Sequence, residues 1–238
     1  MNHVEQSIVQ FGRTSIPYLI ERGQRHRTVA IAVDPERGIL VRAPHNTPIT
    51  RLDDIVRLKA KWIINKRRQQ EDLPPRPTPR EFVNGETFLY AGRQYRLKLV
   101  SGAECAGQRV RLVGAHMQVS VGGRIRQFLV AWYRERAQER IESRMRVWAE
   151  RLNAFPRRVS VREQRARWGS ADVRGNLRFN WRIAQAPTRL LDYVIAHELV
   201  HLFYHDHTRE FWSTLGRVMP DYEARRERLR VIGRAMVW

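Results

Sequence analysis

The chain has 238 residues, 42% of them apolar, which is enough to bury a core and excludes a chain that is disordered throughout. No apolar run reaches the roughly 18–20 residues needed to cross a bilayer, so we expect no membrane partner. A single cysteine, Cys105, excludes an intrachain disulfide, and because the N-terminus has no apolar signal segment we expect a cytoplasmic protein.

The net charge of +20 is the unusual feature of the composition, with 44 basic against 24 acidic residues. Only four of the basic residues are lysine, at positions 59, 61, 66 and 98. A coding bias toward arginine explains the scarcity of lysine, but it does not explain the excess of basic over acidic residues. A basic surface gains affinity for a polyanion by releasing counterions from phosphates, so nucleic acid is a candidate partner.

The first part of the chain has strand-like patterns. Residues 28–33 and 39–44 are β-rich apolar runs, and the turn between them begins with Asp34-Pro35, which predicts a hairpin. Residues 50–71 have apolar side chains at helical spacing, with Thr50 as the expected N-cap. A stiff connector follows, which contains Pro74, Pro75, Pro77 and Pro79.

Strand patterns return over residues 81–121, with a hairpin inside 87–100 and two short strands after it. Residues 124–153 then keep one apolar helical stripe for about 28 residues, or roughly 42 Å. We find no internal repeat in the sequence. These patterns predict an α+β protein with a β-rich N-terminal region, which includes the helix at about 50–71, and a helical C-terminal core. The predicted domains are residues 1–121 and 122–238.

One motif carries chemistry. The predicted helix over residues 188–203, with Thr188 as its expected N-cap, contains a His-Glu-x-x-His pattern that begins at His197. On a helix His197 and His201 stand one above the other, and two imidazoles so placed can bind a single metal ion. Glu198 lies about 100° around the helix, where it can reach a water molecule at the metal without being a ligand. The pattern therefore predicts two zinc ligands and a general base.

A catalytic tetrahedral zinc ion needs a third protein ligand and one open position. The sequence offers four candidates just after the motif: His205, Asp206, His207 and Glu210. On an unbroken helix His205 would continue the stripe of His197 and His201, but three histidines at that spacing span about 12 Å, too far for one ion. The helix must therefore end after His201. We favour His207 because it can fold back, with Thr208 capping the next helix.

A second hairpin precedes the motif, over residues 165–182. It has a turn around Gly175-Asn176 and a strand in which Leu177, Phe179 and Trp181 alternate to one side. The edge of such a hairpin can pair with the extended backbone of a substrate. We therefore take Trp168, Gly169 and Ser170 as candidate substrate-binding residues. The alternative is an ordinary core hairpin.

Together these residues resemble the YgjP-like metallopeptidase domain family, which is related to the SprT-like zinc metalloproteases. The resemblance covers nearly the whole chain. It rests on Val41–Pro44, Lys61-Trp62-Ile63, Tyr95-Arg96-Leu97, Arg167–Ser170, Gly175-Asn176, Asn180–Arg182, Pro187, Asp192–Val194, His197–Leu202, His207, Phe211-Trp212 and Met219–Tyr222.

The resemblance implies a zinc-dependent peptidase with a small gluzincin-like core. By the motif match the metal ligands are His197, His201 and His207, and Glu198 takes the place of the catalytic glutamate. Family members often carry cysteine at two positions that are Ala171 and Val200 here. Neither position is a ligand or the base, so this departure affects only redox control.

We therefore expect hydrolysis of peptide bonds in a protein or peptide substrate, with one Zn²⁺ per chain. The donor that stabilises the oxyanion stays open among Tyr193, Tyr204, Tyr222 and Arg167. One alternative is a protease or binding protein that acts on nucleic-acid-bound proteins through the basic surface, since some SprT-like relatives cleave proteins crosslinked to DNA. Another is a non-catalytic module with a structural metal, which the presence of Glu198 disfavours because a structural site needs no base.

Overall fold

The computed structural model describes residues 4–24, 26–34, 37–72, 78–101, 107–164, 167–236 and 238. The chain folds into two compact units, Met1–Pro74 and Pro75–Trp238. Within the described ranges, no helix is both long and apolar enough to cross a membrane. The predicted turn at Pro35, most of the predicted proline-rich connector and Cys105 lie outside the described residues.

In the first unit, the part of the chain that the structure describes forms a four-stranded sheet with two helices. The elements are β1 Val4–Phe11, β2 Thr14–Arg22, β3 Ala30–Asp34, β4 Gly38–Ala43, α1 Ile49–Leu58 and α2 Ala60–Glu71. The strand order is β1-β2-β4-β3, in which β2 and β4 are parallel and the other two pairs are antiparallel. The predicted hairpin is confirmed as the β3–β4 pair.

The single helix predicted over residues 50–71 is instead two helices. Lys59 separates them, with a backbone ψ of 5° that lies outside the helical range. Val56, Ala60 and Ile63 on either side of the break are all buried in the core of this unit. Since the apolar stripe continues across the break, its period does not reveal it. Pro48, and not the predicted Thr50, precedes the first helical residue.

The described residues of the second unit form seven strands, four helices and two 3-10 helices. The strands are β5 Thr87–Tyr90, β6 Arg93–Val100, β7 Val110–Val113, β8 His116–Ser120, β9 Arg158–Arg162, β10 Gly169–Ala171 and β11 Asn176–Asn180. The helices are α3 Ile125–Leu152, α4 Thr188–Val200, α5 Arg209–Val218 and α6 Tyr222–Gly233, with 3-10 helices at Trp181–Gln185 and Arg234–Met236. The mixed α+β class predicted from the sequence is confirmed.

The two four-stranded sheets repeat one topology that the sequence does not reveal. The sheet of the second unit has the order β5-β6-β8-β7, with β6 and β8 parallel and antiparallel pairs on both sides. This is the arrangement of β1 to β4. In both units the fourth strand in the sequence leads into a helix. Many different alternating sequences suit such short strands, so a shared topology leaves no visible sequence repeat.

The long helix α3 forms the centre of the second unit. It buries Leu129, Tyr133 and Ile141 in a core to which β5–β8, the small sheet β10-β11-β9 and α4 all contribute. Phe88 and Met117, which the sequence analysis placed in the N-terminal region, belong to this same core. The compact units therefore divide the chain earlier than the predicted boundary after residue 121.

Candidate metal centre

Helix α4 is buried along almost its whole length, so its polar residues need an explanation. Ten of its thirteen residues are buried, including Asp192 and Glu198. Burying a polar group without a partner costs free energy, and such groups are usually kept for structure or chemistry. The helix ends at Val200 with His201 as its C-cap, as the spacing argument predicts. Thr188 is the first helical residue after Pro187 and not the predicted N-cap.

The chain folds back after α4 and brings His207 to the helix. The Nε2 atom of His207 lies 3.0 Å from Nε2 of His197. One nitrogen from each of His197, His201 and His207 lies within 4.8 Å of the other two. Side-chain rotations are enough to bring three such nitrogens to about 2.1 Å from one zinc ion. The donor set therefore fits a metal ion.

The backbone next to the site selects which nitrogen of His201 faces the other two rings. Its Nδ1 donates a hydrogen bond to the carbonyl oxygen of Tyr204 at 2.9 Å, which leaves Nε2 available to a metal ion. His205 lines the same cavity but does not belong to the three-histidine group. Thr208 caps α5 by accepting a hydrogen bond from the backbone N–H of Phe211 at 3.4 Å, as predicted.

Aromatic side chains hold the three imidazoles in place. The ring of Phe211 is fully buried, with its centroid 4.9, 4.6 and 4.8 Å from those of His197, His201 and His207. Trp212 stacks on His207 at 5.3 Å. The family resemblance includes both aromatic residues, but the sequence analysis did not predict that they support the histidines.

The environment favours the neutral form of two of the imidazoles, His197 and His207, and a metal ligand must be neutral. Burial lowers the pKa of His197 to about 3, and the neighbouring His201 and His207 add to the effect. Burial also lowers the pKa of His207. The Nδ1 atom of His197 is buried and has no hydrogen-bond partner among the described residues.

Glu198 is the buried carboxylate of the site, with 5% of its surface exposed. Burial raises its pKa to about 8, and the positive charge of Arg167 opposes this effect. Its Oε2 atom has no hydrogen-bond partner in the described part of the chain. Gly169 leaves room for it, because a Cβ atom at Gly169 would lie 2.5 Å from Oε1 and 2.6 Å from Cγ of Glu198. Sequence analysis did not predict this contact.

The three candidate substrate-binding residues lie on or next to an edge strand. In the order β10-β11-β9, β10 is at the edge, with Gly169 opposite Phe179 and Ser170 opposite Arg178. The carbonyl oxygen of Trp168 accepts a hydrogen bond from the backbone N–H of Asn180 at 2.8 Å. These residues line a cavity of about 710 Å³ that reaches the histidines. Its other lining residues include Arg167, Asp172, Val173, Tyr193, Val194, Glu198 and Leu229.

Two of the four candidate oxyanion donors line the cavity, and the other two do not. Tyr193 and Arg167 line it. Tyr204 contributes its carbonyl oxygen to His201, and the ring of Tyr222 stacks on Trp212. Tyr193 lies one turn before His197 on α4, and the two ring centroids are 5.7 Å apart. Burial raises the pKa of Tyr193 to about 12, so its hydroxyl keeps its proton.

Two arginines of α3 form hydrogen bonds with α4 and with the residues just before it, and the sequence analysis predicted neither. Arg144 makes two hydrogen bonds to the carboxylate of Asp192, at 2.6 and 2.8 Å. Arg140 donates to the carbonyl oxygens of Ala184 and Ala186, just before the helix begins. The two arginines are four residues apart and so share one face of α3. Nothing in the sequence distinguishes them from the other arginines of this helix.

The comparisons with known proteins give one family match. The family model described as a YgjP-like, metallopeptidase domain matches residues 27–231. Among solved structures, one similar chain is the crystal structure of the metallopeptidase zymogen of Pyrococcus abyssi abylysin. It has 19% sequence identity and a TM-score of 0.37, and the match covers 41% of this chain and 99% of that chain. The search among curated proteins found no match.

Proposed function

The chain belongs to the YgjP-like metallopeptidase domain family, and on this basis we propose that it is a zinc-dependent peptidase with a small gluzincin-like core. His197, His201 and His207 would hold one zinc ion per chain, and Glu198 would act as the general base. The observation that carries the proposal is that three imidazole nitrogens and one buried carboxylate converge on a single open cavity.

A zinc ion held by the three imidazoles would supply a Lewis acid to the reaction. Glu198 would transfer the protons of the reaction. Its unpartnered Oε2 would accept a proton from the attacking water molecule and deliver it to the amine nitrogen that leaves. The positive charge of Arg167 favours the ionised form of Glu198 and so opposes the rise in its pKa that burial causes.

The edge strand β10 would bind the substrate. An extended peptide can pair with the free backbone edge of residues 168–170, which adds a strand to the small sheet. Such pairing uses backbone groups, so it holds the peptide without demanding one particular sequence. It would also place the peptide directly beside Glu198, because Gly169 has no side chain to intervene.

We assign the stabilisation of the developing oxyanion to Tyr193. Its ring lies against His197 and lines the cavity, and its high pKa keeps the hydroxyl protonated. A preorganised donor at that position would act only on the charge that develops during the reaction.

The test is hydrolysis of a quenched fluorescent, unfolded protein by the zinc-loaded full chain. Glu198→Gln should keep its zinc and lose nearly all turnover. Glu150→Gln, which changes an exposed carboxylate of α3, is the matched control and should keep full turnover. Turnover that survives in Glu198→Gln would contradict the general-base role. A wild-type chain that binds zinc but cleaves no substrate would favour the structural metal module.

A further inference from the structure

Arg167 is an exposed residue to which the proposed mechanism assigns no contact with the substrate. It lines the cavity, and its guanidinium has no carboxylate partner among the described residues. Its backbone is held in place, because its carbonyl oxygen accepts a hydrogen bond from the side-chain amide of Asn180 at 3.1 Å. Asn180 is itself buried. The cavity therefore presents one permanent positive charge from a fixed backbone position.

The acidic residues of the cavity do not neutralise this charge. Asp172 accepts hydrogen bonds from the backbone N–H groups of Arg174 and Asn176, from the side-chain amide of Asn176 and from the guanidinium of Arg178. These bonds engage both carboxylate oxygens of Asp172 with residues of the same hairpin. Glu198 is buried, with only 5% of its surface exposed, and so contributes little to the accessible wall of the cavity. The accessible part of the cavity is thus positive.

The position of Arg167 just before the edge strand β10 defines the part of a substrate that it would meet. It lies two residues before Gly169, which contacts Glu198. Two residues of chain span at most about 7 Å. A peptide that is paired with β10 would therefore pass Arg167 within a few residues of the bond that is cleaved.

We propose that Arg167 is a specificity-determining residue that binds the carboxylate of an aspartate or glutamate side chain in the bound peptide. The protein thus selects acidic segments of unfolded polypeptides. A guanidinium and a carboxylate form paired, charge-assisted hydrogen bonds, which a neutral amide cannot replace. The excess of basic over acidic residues in the whole chain favours the same substrates during encounter. The placement of Arg167 beside the cleaved bond rests on the proposed function, but the binding of an acidic peptide can be measured without hydrolysis.

Binding is measured by fluorescence anisotropy with the zinc-loaded Glu198→Gln protein and labelled peptides blocked at both ends. Each pair of peptides differs only in a glutamate or glutamine at one scanned position. At one position the glutamate peptide should bind about fivefold more tightly, as expected for an exposed ion pair. Arg167→Gln should abolish that preference. Arg174→Gln removes the same charge from an exposed position on the neighbouring turn and should preserve it.

Three results would overturn the inference. One is equal affinity for the two peptides at every position, including the case in which neither binds. Another is an equal loss of preference in Arg167→Gln and Arg174→Gln, which would indicate a general charge effect. The third is a glutamine peptide with a free C-terminus that binds as tightly as the blocked glutamate peptide. Arg167 would then bind the terminal carboxylate and not an acidic side chain. Hydrolysis by the wild-type protein without this preference would leave the proposed function intact, whereas preference without hydrolysis would contradict only the proposed function.

Discussion

Replacing Gly169 by alanine tests the close approach of the edge strand to the buried glutamate. The added methyl group would lie 2.5 Å from Oε1, 2.6 Å from Cγ and 2.7 Å from Cδ of Glu198. Ordinary carbon contacts begin near 3.5 Å, so the carboxylate must retreat by about 1 Å. A displacement of that size in a catalytic group lowers the rate by about 100-fold. Overpacking should also lower the free energy of unfolding by about 1–3 kcal/mol.

The assay compares kcat, zinc content and urea unfolding of Gly169→Ala with those of the wild-type chain. Gly216→Ala is the control, because a methyl group there meets only the ring of Tyr222, at the ordinary distance of 3.4 Å. We expect Gly169→Ala to be folded and loaded with zinc but nearly inactive, and Gly216→Ala to match the wild type. A Gly169→Ala protein with the wild-type kcat would refute the view that this glycine makes room for the base.

Three other predictions follow from single residues. In the metal-free protein, the stability that neutral Glu198 contributes is fully present below pH 4.5 and is lost as the pH rises through about 8, since the unfolded chain ionises first. Glu198→Gln should therefore become more stable relative to the wild type between pH 5 and pH 8, by up to about 5 kcal/mol in urea unfolding; a difference that does not grow with pH would exclude a raised pKa. Tyr193→Phe should lower kcat by about 100-fold with zinc content and KM unchanged, and an unchanged kcat would remove Tyr193 from the mechanism. Arg144→Ala should cost about 2 kcal/mol of unfolding free energy because it leaves the buried carboxylate of Asp192 unpaired, whereas Arg136→Ala, which breaks an exposed pair, should cost less than about 1 kcal/mol; equal costs would contradict the importance of the buried pair.

Local chemistry made several parts of the site predictable. The end of α4 near His201 follows from the distance that one metal ion can bridge, and the return of His207 follows from that end. The hairpin of β10 and β11 follows from alternation around Gly175-Asn176. These features depend on residues close together in the sequence, where spacing determines geometry.

Other parts depend on contacts between distant residues, which spacing does not encode. Three of the strand pairs, β2 with β4, β6 with β8 and β9 with β11, are parallel, so each joins strands that are not connected by a simple turn. The approach of Gly169 to Glu198 joins a strand to a helix 29 positions later. The pair of Arg144 and Asp192 bridges 48 positions. In a chain with so many arginines, no composition signal identifies the one that supports the site.

The comparisons support one of the functional hypotheses and leave another as a prediction. The metallopeptidase class is supported by the family match over residues 27–231, which agrees with the resemblance seen in the sequence. Binding of nucleic acid through the net charge of +20 stays a prediction, because charge alone does not define a surface.

The most direct test of the account is the zinc content of the purified full chain, measured by elemental mass spectrometry. We expect about one zinc per chain in the wild type. We expect a large loss of zinc in His207→Ala and an unchanged content in His205→Ala, which removes a cavity histidine outside the three-histidine group. A wild-type chain that carries no zinc and takes up none on addition would contradict the account. So would a His205→Ala protein that loses zinc while His207→Ala keeps it.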